Sequence, residues 1–184
     1  LERQKLEYHV IVETGSMRPG YTQEGDGQST WLFDHFVGAK QGIVFSIDLD
    51  PITTAHAQTN TVFTQCFNAD SVSWLFSQLS MLISRRNLIY NGVNLFYLDS
   101  YDVDFSNPLA ANLHHMKELV SVAKWLTPGT IVAVDDCHFA ADDPRIPDGI
   151  NPAFVSKGVF VQDYMENIGA KLLFDGYQKI WEIQ

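Results

Sequence analysis

Short β-branched runs alternate with longer amphipathic stretches along this chain, and that alternation constrains the fold more than any other feature. It is typical of a parallel sheet with helices on both faces. A last pair of runs flanks Asp175-Gly176, a dipeptide typical of a tight hairpin. We therefore predict an α/β fold with a doubly wound, mostly parallel sheet and an antiparallel C-terminal hairpin, in one domain spanning residues 1–184. The predicted strands cover 10–12, 43–47, 62–67, 94–98, 131–134, 171–174 and 177–183.

Four amphipathic stretches predict the helices. The first begins at Ser29, a residue type that favours the N-cap position, and runs to about Val37. The last is followed by Gly169, which suits a helix C-cap. The last helix is predicted over 157–168 and the two between over 71–84 and 108–123, and a long loop is predicted over 137–156.

Composition narrows the classes of function. Lys plus Arg number 12 against 22 Asp plus Glu, and the resulting net charge of −10 disfavours nucleic acid as a partner. No apolar run has the length of a membrane span, so no membrane partner is expected. Only two cysteines are present, Cys66 and Cys137, which predicts a reducing, cytoplasmic location. A small molecule is the expected partner.

The loop after the first strand has features of a ligand-binding turn. Gly15, Ser16 and Gly27 lie between this strand and the helix at Ser29, where glycines let a backbone approach a ligand and free N–H groups are available. A plain surface loop with turn glycines has the same composition. Asp48, at the end of the second strand, is placed to accept hydrogen bonds from a ribose diol. Together these residues favour an adenosine-containing ligand.

Two further positions bear on which ligand this is. Glu13 ends the first strand and would repel a phosphate but attract a cationic group, and the loop lacks a GxGxxG run. Both points favour S-adenosylmethionine over a dinucleotide. Asp70-Ser71, after the third strand, either reaches the adenine edge or simply caps a helix.

Three carboxylates are expected to converge at the other end of the same edge. Asp99 ends the fourth strand and Asp135-Asp136 end the fifth, and neighbouring strands lie about 4.8 Å apart. Their mutual repulsion is offset most directly by a divalent cation, and all-oxygen ligands suit Mg²⁺, Ca²⁺ or Mn²⁺, of which Mg²⁺ is the one expected. The alternatives are raised pKa values or an outward-turned side chain.

Asp102 and His138 flank these acids in the sequence, and either is a candidate general base, as is a bound water. Asp102 could equally be a solvated loop residue. His114 and His115 share a helix but not a helix face, so they are not a joint metal site. One of them is expected to face the cleft while the other lies in the core or at the surface.

Taken together, these residues resemble class I S-adenosylmethionine-dependent methyltransferases, and the acid after strand four with the Asp-Asp after strand five resembles their metal-dependent O-methyltransferases, of catechol or antibiotic-sugar type. The resemblance implies a Rossmann-like seven-stranded sheet of order 3-2-1-4-5-7-6. It implies Asp99, Asp135 and Asp136 as metal ligands. The cofactor-binding residues predicted are Glu13, Gly15, Ser16, Gly27, Ser29, Asp48, Asp70, Ser71 and Asp99.

The chain departs from that family in two places. Residues 17–24 look inserted in the glycine-rich loop, and only about nine residues precede the first strand, so the usual N-terminal cover of the active site is expected to be short or missing. Substrate contacts then fall to the long loops, to a partner subunit in a homo-oligomer, or to sequence outside this chain.

The sequence thus predicts metal-assisted methyl transfer from S-adenosylmethionine to a small hydroxylated acceptor. Two alternatives stay open. One is a non-catalytic or regulatory S-adenosylmethionine-binding protein of the same fold. The other is a nicotinamide-dependent oxidoreductase, against which the missing phosphate glycines count.

Overall fold

The computed structural model describes residues 8–20, 28–85 and 92–184. Seven strands within these ranges form one sheet: β1 (His9–Thr14), β2 (Gly42–Asp48), β3 (Thr64–Asn68), β4 (Leu95–Leu98), β5 (Ile131–Val134), β6 (Lys171–Asp175) and β7 (Lys179–Glu182). Their spatial order is β3-β2-β1-β4-β5-β7-β6, which confirms the predicted order. β1 to β5 pair in parallel, and β7 runs antiparallel to both β5 and β6.

In the described parts of the chain, six α-helices connect the strands: α1 (Ser29–Lys40), α2 (Pro51–Thr59), α3 (Ser71–Ser77), α4 (Leu79–Arg85), α5 (Pro108–Val122) and α6 (Val159–Asn167). Short 3-10 turns follow α5 and precede α6. None of the helices in the described ranges combines the length and apolar character that crossing a bilayer requires.

The two faces of the sheet are buried under different helices. Along β1, Val10 and Val12 point to one face, where they join buried residues of α3, α4, α5 and α6. Ile11 points to the opposite face, where it packs with Val37 of α1 and with Ile131 of β5. This alternation follows from the period of two in a strand, and it confirms a sheet with helices on both faces.

Several element boundaries differ from the predictions. Helix α2 was not predicted, although Asp50 caps it by accepting from the Ile52 N–H and Pro51 occupies its first position. The stretch predicted as one helix over 71–84 is two helices that meet at Gln78. Ser29 is the first residue of α1 and not its N-cap, because the Gln28 carbonyl accepts the first helical bond, from the Leu32 N–H.

The third strand and the last helix both begin two residues later than predicted. The backbone N–H groups of Val62 and Phe63 donate to the carboxylate of Asp34 on α1. At the third strand, a side-chain carboxylate thus takes two backbone N–H groups that the local pattern assigned to the strand. The N–H of Lys157 donates to the carbonyl of Asp136, which ties this residue to the segment after β5, and α6 begins at Val159.

Candidate active site

The strand order reverses between β1 and β4, and two cavities open at the carboxyl ends of the strands around this point. The larger, here called the rim cavity, has a volume of about 390 Å³. The smaller, here called the side cavity, has about 70 Å³ and lies beside the ends of β2 and β3. Of the predicted site residues, Gly15, Ser16, Ser29, Asp99, Asp102, Asp135 and Asp136 line the rim cavity, and Asp48, Asp70 and Ser71 line the side cavity.

Gly15 directly follows β1 and lies against the backbone that directly follows β4. Its φ is +83°, and its N–H donates to the Ile47 carbonyl at 2.8 Å. A Cβ at this position would lie 2.7 Å from the carbonyl oxygen of Asp99. Both the left-handed backbone and the close approach require glycine at this position.

Asp48 anchors the chain immediately after this turn. Its Oδ2 accepts from the Ser16 N–H at 2.9 Å, and its Oδ1 accepts from the Asp50 N–H at 2.8 Å. The Ser16 hydroxyl lies 2.7 Å from that of Ser46. An ionised carboxylate has about four acceptor positions, so Asp48 keeps the capacity to accept from a ligand hydroxyl.

Glu13 does not line either cavity. Its side chain is fully buried, and its Oε2 accepts from the hydroxyls of Thr30 at 2.6 Å and Ser46 at 2.8 Å, while Oε1 has no hydrogen-bond partner among the residues described. Burial raises the pKa of Glu13 to about 7, although these hydroxyls lower it. Direct contact between Glu13 and a cofactor therefore remains a prediction, and Gly27 lies outside the described residues.

The structure around the side cavity bears on Asp70 and on the two histidines of α5. The Asp70 carboxylate caps α3 by accepting from the Ser73 N–H at 2.8 Å, as the capping alternative predicted. Ser71 is buried, and its hydroxyl lies 3.1 Å from Nε2 of His114, which lines this cavity. His115 is fully buried, and burial lowers its pKa to about 4. One histidine thus faces the cleft and the other lies in the core, as expected.

Sequence reasoning missed a buried carboxylate that forms hydrogen bonds with the end of β1 and with the segment that follows β4. Glu118 of α5 accepts from the hydroxyls of Thr14 at 3.2 Å and Ser100 at 2.6 Å, and it lies 3.4 Å from Nε2 of His114. Burial alone would raise the pKa of Glu118, but His114, His115 and the Ser100 hydroxyl hold it below its ordinary value. Glu118 sits in an ordinary helical pattern, so no sequence signal marked it.

The three acids at the ends of β4 and β5, here called the acidic cluster (Asp99, Asp135 and Asp136), do lie along one cavity wall. Two of them bind the ammonium group of Lys157: its Nζ is 2.5 Å from Asp99 Oδ1 and 2.9 Å from Asp136 Oδ2. Burial alone would lower the pKa of Lys157, but the two carboxylates raise it above its ordinary value. Lys157 is therefore a charged, buried cation at the cluster.

Tyrosine hydroxyls occupy further oxygens of the acidic cluster. Tyr97 donates to Asp135 Oδ2 at 2.9 Å, and Tyr177 donates to Asp136 Oδ1. Across the residues that the structure describes, no group of three His, Cys, Asp or Glu side chains is arranged to hold a metal ion. The donor set as folded does not fit the divalent cation that the sequence analysis expected, because Lys157 already bridges two of the three ligands.

The structure separates the two candidate bases. Asp102 lines the rim cavity, is 73% exposed and pairs with Arg18 at 3.2 Å. His138 is exposed and lines a different cavity, beside Cys137 and the start of α6. Only Asp102 shares a cavity with the acidic cluster.

Comparisons with known proteins bear on the fold. No protein-family model matches the chain, and neither does any curated protein. The MycE methyltransferase of the mycinamycin pathway, solved with Mg, SAH and mycinamycin VI, superimposes with a TM-score of 0.61 at 14% identity, over 96% of this chain and 45% of that one. A TehB-like SAM-dependent methyltransferase from Corynebacterium glutamicum gives 0.51 at 12% identity, over 96% and 80%.

A ribosomal RNA methyltransferase, putative, from Plasmodium falciparum also gives a TM-score of 0.51, at 8% identity, over 96% of this chain and 85% of that one. Against MycE this chain spans less than half of the other protein's length. At these identities the likeness establishes the fold alone: this chain has the class I S-adenosylmethionine-dependent methyltransferase fold.

Proposed function

We propose that this chain binds S-adenosylmethionine at the carboxyl ends of β1, β2 and β4 and transfers its methyl group to an oxygen of a small hydroxylated acceptor. The observation that carries the proposal is the turn at Gly15, which brings the backbone against Asp99, a residue of the rim cavity, and Ser100, a residue of the side cavity. A ligand crossing this point sits where the strand order reverses, as ligands of such sheets do.

The flanking groups suit the two ends of that cofactor. Asp48 lines the side cavity and has acceptor positions left for a ribose diol. The acidic cluster and Lys157 together carry three carboxylates against one ammonium, and this excess of negative charge attracts a sulfonium in the rim cavity. The rim cavity is therefore assigned to the methionine end and the acceptor.

Methyl transfer needs an acceptor oxygen in line with the methyl carbon, about 3 Å away. A lone pair of the acceptor oxygen forms the new C–O bond as the C–S bond breaks. The electron pair of the C–S bond stays on sulfur, so the positively charged sulfonium becomes a neutral thioether. The acceptor hydroxyl gives up its proton, and Asp102 is the candidate base because it lines the same cavity. No divalent cation enters this scheme, because the acidic cluster as folded binds Lys157.

Two points support a small acceptor. MycE was captured with SAH and mycinamycin VI, a bound small molecule in a similar fold. The net charge of −10 disfavours a ribosomal RNA substrate, which the Plasmodium falciparum protein's name specifies. The second point is independent of any structural likeness.

Isothermal titration calorimetry of the chain with S-adenosylmethionine tests the cofactor assignment. We expect saturable one-to-one binding, no heat with NAD(H), and affinity about tenfold weaker or worse in Asp48→Ala, since bonds to a charged acceptor contribute about 1.5–3 kcal/mol. Asp50→Ala is the matched control, because Asp50 caps α2 and lines neither cavity. Binding of NAD(H) in place of S-adenosylmethionine would refute the proposal.

Turnover is tested next, by mass-spectrometric detection of methylated products from a panel of polyhydroxylated and phenolic acceptors. We expect oxygen methylation that falls at least tenfold in Asp102→Asn, with cofactor affinity unchanged. Saturable cofactor binding with no turnover of any acceptor would instead support the non-catalytic binding protein.

A further inference from the structure

Lys157 is the most deeply buried charge at the acidic cluster. Its side chain is 1% exposed, whereas those of Asp99 and Asp136, which it binds, are 26% and 21% exposed and face the rim cavity. Lysine is almost never fully buried unless its charge is paired. The Lys157 ammonium is therefore a buried, paired group of the site and not a surface charge.

The backbone around Lys157 is fixed independently of its charge. The Lys157 N–H donates to the Asp136 carbonyl at 3.1 Å, and the N–H of Val159 donates to Oδ1 of Asn112 at 2.9 Å. Between them, a Cβ on Gly158 would lie 2.4 Å from the sulfur of Cys137. These contacts hold the segment tightly against the end of β5, so the position of the Lys157 backbone does not depend on the ion pairs of its side chain.

Lys157 performs the electrostatic task that the sequence analysis gave to a dication. It places positive charge between two carboxylates that repel each other, and the third acid of the cluster is held by the Tyr97 hydroxyl. A divalent cation entering the cluster would meet a buried group of like charge and would have to displace it from Asp99 or Asp136.

We propose that Lys157 is the resident cation of the acidic cluster, holding Asp99 and Asp136 in position at the rim cavity in place of a divalent metal ion. The proposal deepens the proposed function, on which its catalytic meaning rests, because it makes the methyl transfer independent of added metal. Lys157 is a positioning residue, since it does not itself line the cavity.

Direct metal titration tests this without any reference to turnover. The probe is Mn²⁺, whose free ion is counted by electron paramagnetic resonance. We expect no stoichiometric Mn²⁺ binding to the wild-type chain up to millimolar concentrations. Lys157→Met, which keeps the apolar stem and removes the charge, should gain a single Mn²⁺ site at least tenfold tighter, and adding Asp136→Asn should abolish it.

Lys179→Met is the matched control. Lys179 is also largely buried and close in the fold, but its ammonium pairs with Asp175 at 3.1 Å and touches none of the acidic cluster. Removing its charge should leave Mn²⁺ affinity unchanged, because only a charge between the cluster carboxylates excludes the metal. An equal gain in this variant would overturn the proposal by showing a general charge effect.

Two other results would overturn the proposal. One is a Mn²⁺ site in the wild-type chain that Asp136→Asn removes, and this measurement decides even if Lys157→Met fails to fold. The other is a folded Lys157→Met that gains no site. Failure of the proposed function gives a different signature, loss of S-adenosylmethionine binding in calorimetry, and the two failures are therefore distinguishable.

Discussion

The buried carboxyl of Glu13 gives the sharpest prediction about stability. Burial raises its pKa from 4.5 to about 7, so the folded chain keeps a proton on Glu13 over a range of pH in which the unfolded chain has lost it. Folding stability then falls as pH rises, because the native state binds more protons than the unfolded state. The loss begins near pH 4.5 and is complete just above pH 7.

The magnitude follows from the same shift. One pKa unit corresponds to about 1.4 kcal/mol, so a pKa raised from 4.5 to about 7 makes Glu13 cost roughly 3 kcal/mol of unfolding free energy at pH 8. Glu13→Gln has no proton to lose, and its amide oxygen can still accept from Thr30 and Ser46. The variant should therefore gain stability relative to wild type as pH rises.

Urea unfolding at a series of pH values from 4.5 to 8 measures this difference. The unfolding free energy of Glu13→Gln minus that of wild type should increase by roughly 3 kcal/mol across the series. Glu166→Gln, on the exposed surface of α6, is the control for removing a carboxyl in water. A difference for Glu13→Gln that stays flat between pH 4.5 and 8 would refute the assignment of a buried proton to this residue.

Three further substitutions probe the scaffold of the site. Gly15→Ala should destabilise by about 2 kcal/mol or more and weaken S-adenosylmethionine binding in calorimetry, whereas Gly149→Ala, with a similar φ of +87° but open space, should cost only about 1 kcal/mol and leave binding intact. Asp34→Ala should lower the free energy of unfolding in urea by about 2–4 kcal/mol, because two backbone N–H groups and a hydroxyl lose their acceptor. Asp34→Asn should lower it less. Asn112→Ala should cost about 1–3 kcal/mol by the same assay, because its amide bridges the backbone at both ends of the segment leading into α6, and a loss below 0.5 kcal/mol would contradict that role.

Local patterns were sufficient for most of the sheet and insufficient where tertiary bonds intervene. β4 and β5 matched their predicted runs to within a residue, because strands buried on both faces are short, continuous apolar runs. Helix α2 was missed because its sequence is mostly Thr, Ala, His and Gln, with no strong apolar stripe, although Asp50-Pro51 was a start signal. The split at Gln78 was invisible because the apolar residues of α3 and α4 continue one helical period.

The sequence by itself determined which residues end the strands. Because neighbouring parallel strands have their carboxyl ends at the same edge of the sheet, the acids that follow β4 and β5 must lie at that edge. The sequence also placed Gly15 in the loop after β1 and Asp48 at the end of β2, whereas the bond from the Ser16 N–H to Asp48 is seen only in the structure. Only the tertiary structure decided what neutralises the acidic cluster, because Lys157 follows Asp136 by a long loop and its direction depends on packing against the end of β5. The position of a residue at the end of a strand follows from the local sequence, whereas the partner of a buried charge is set by the tertiary packing of distant segments.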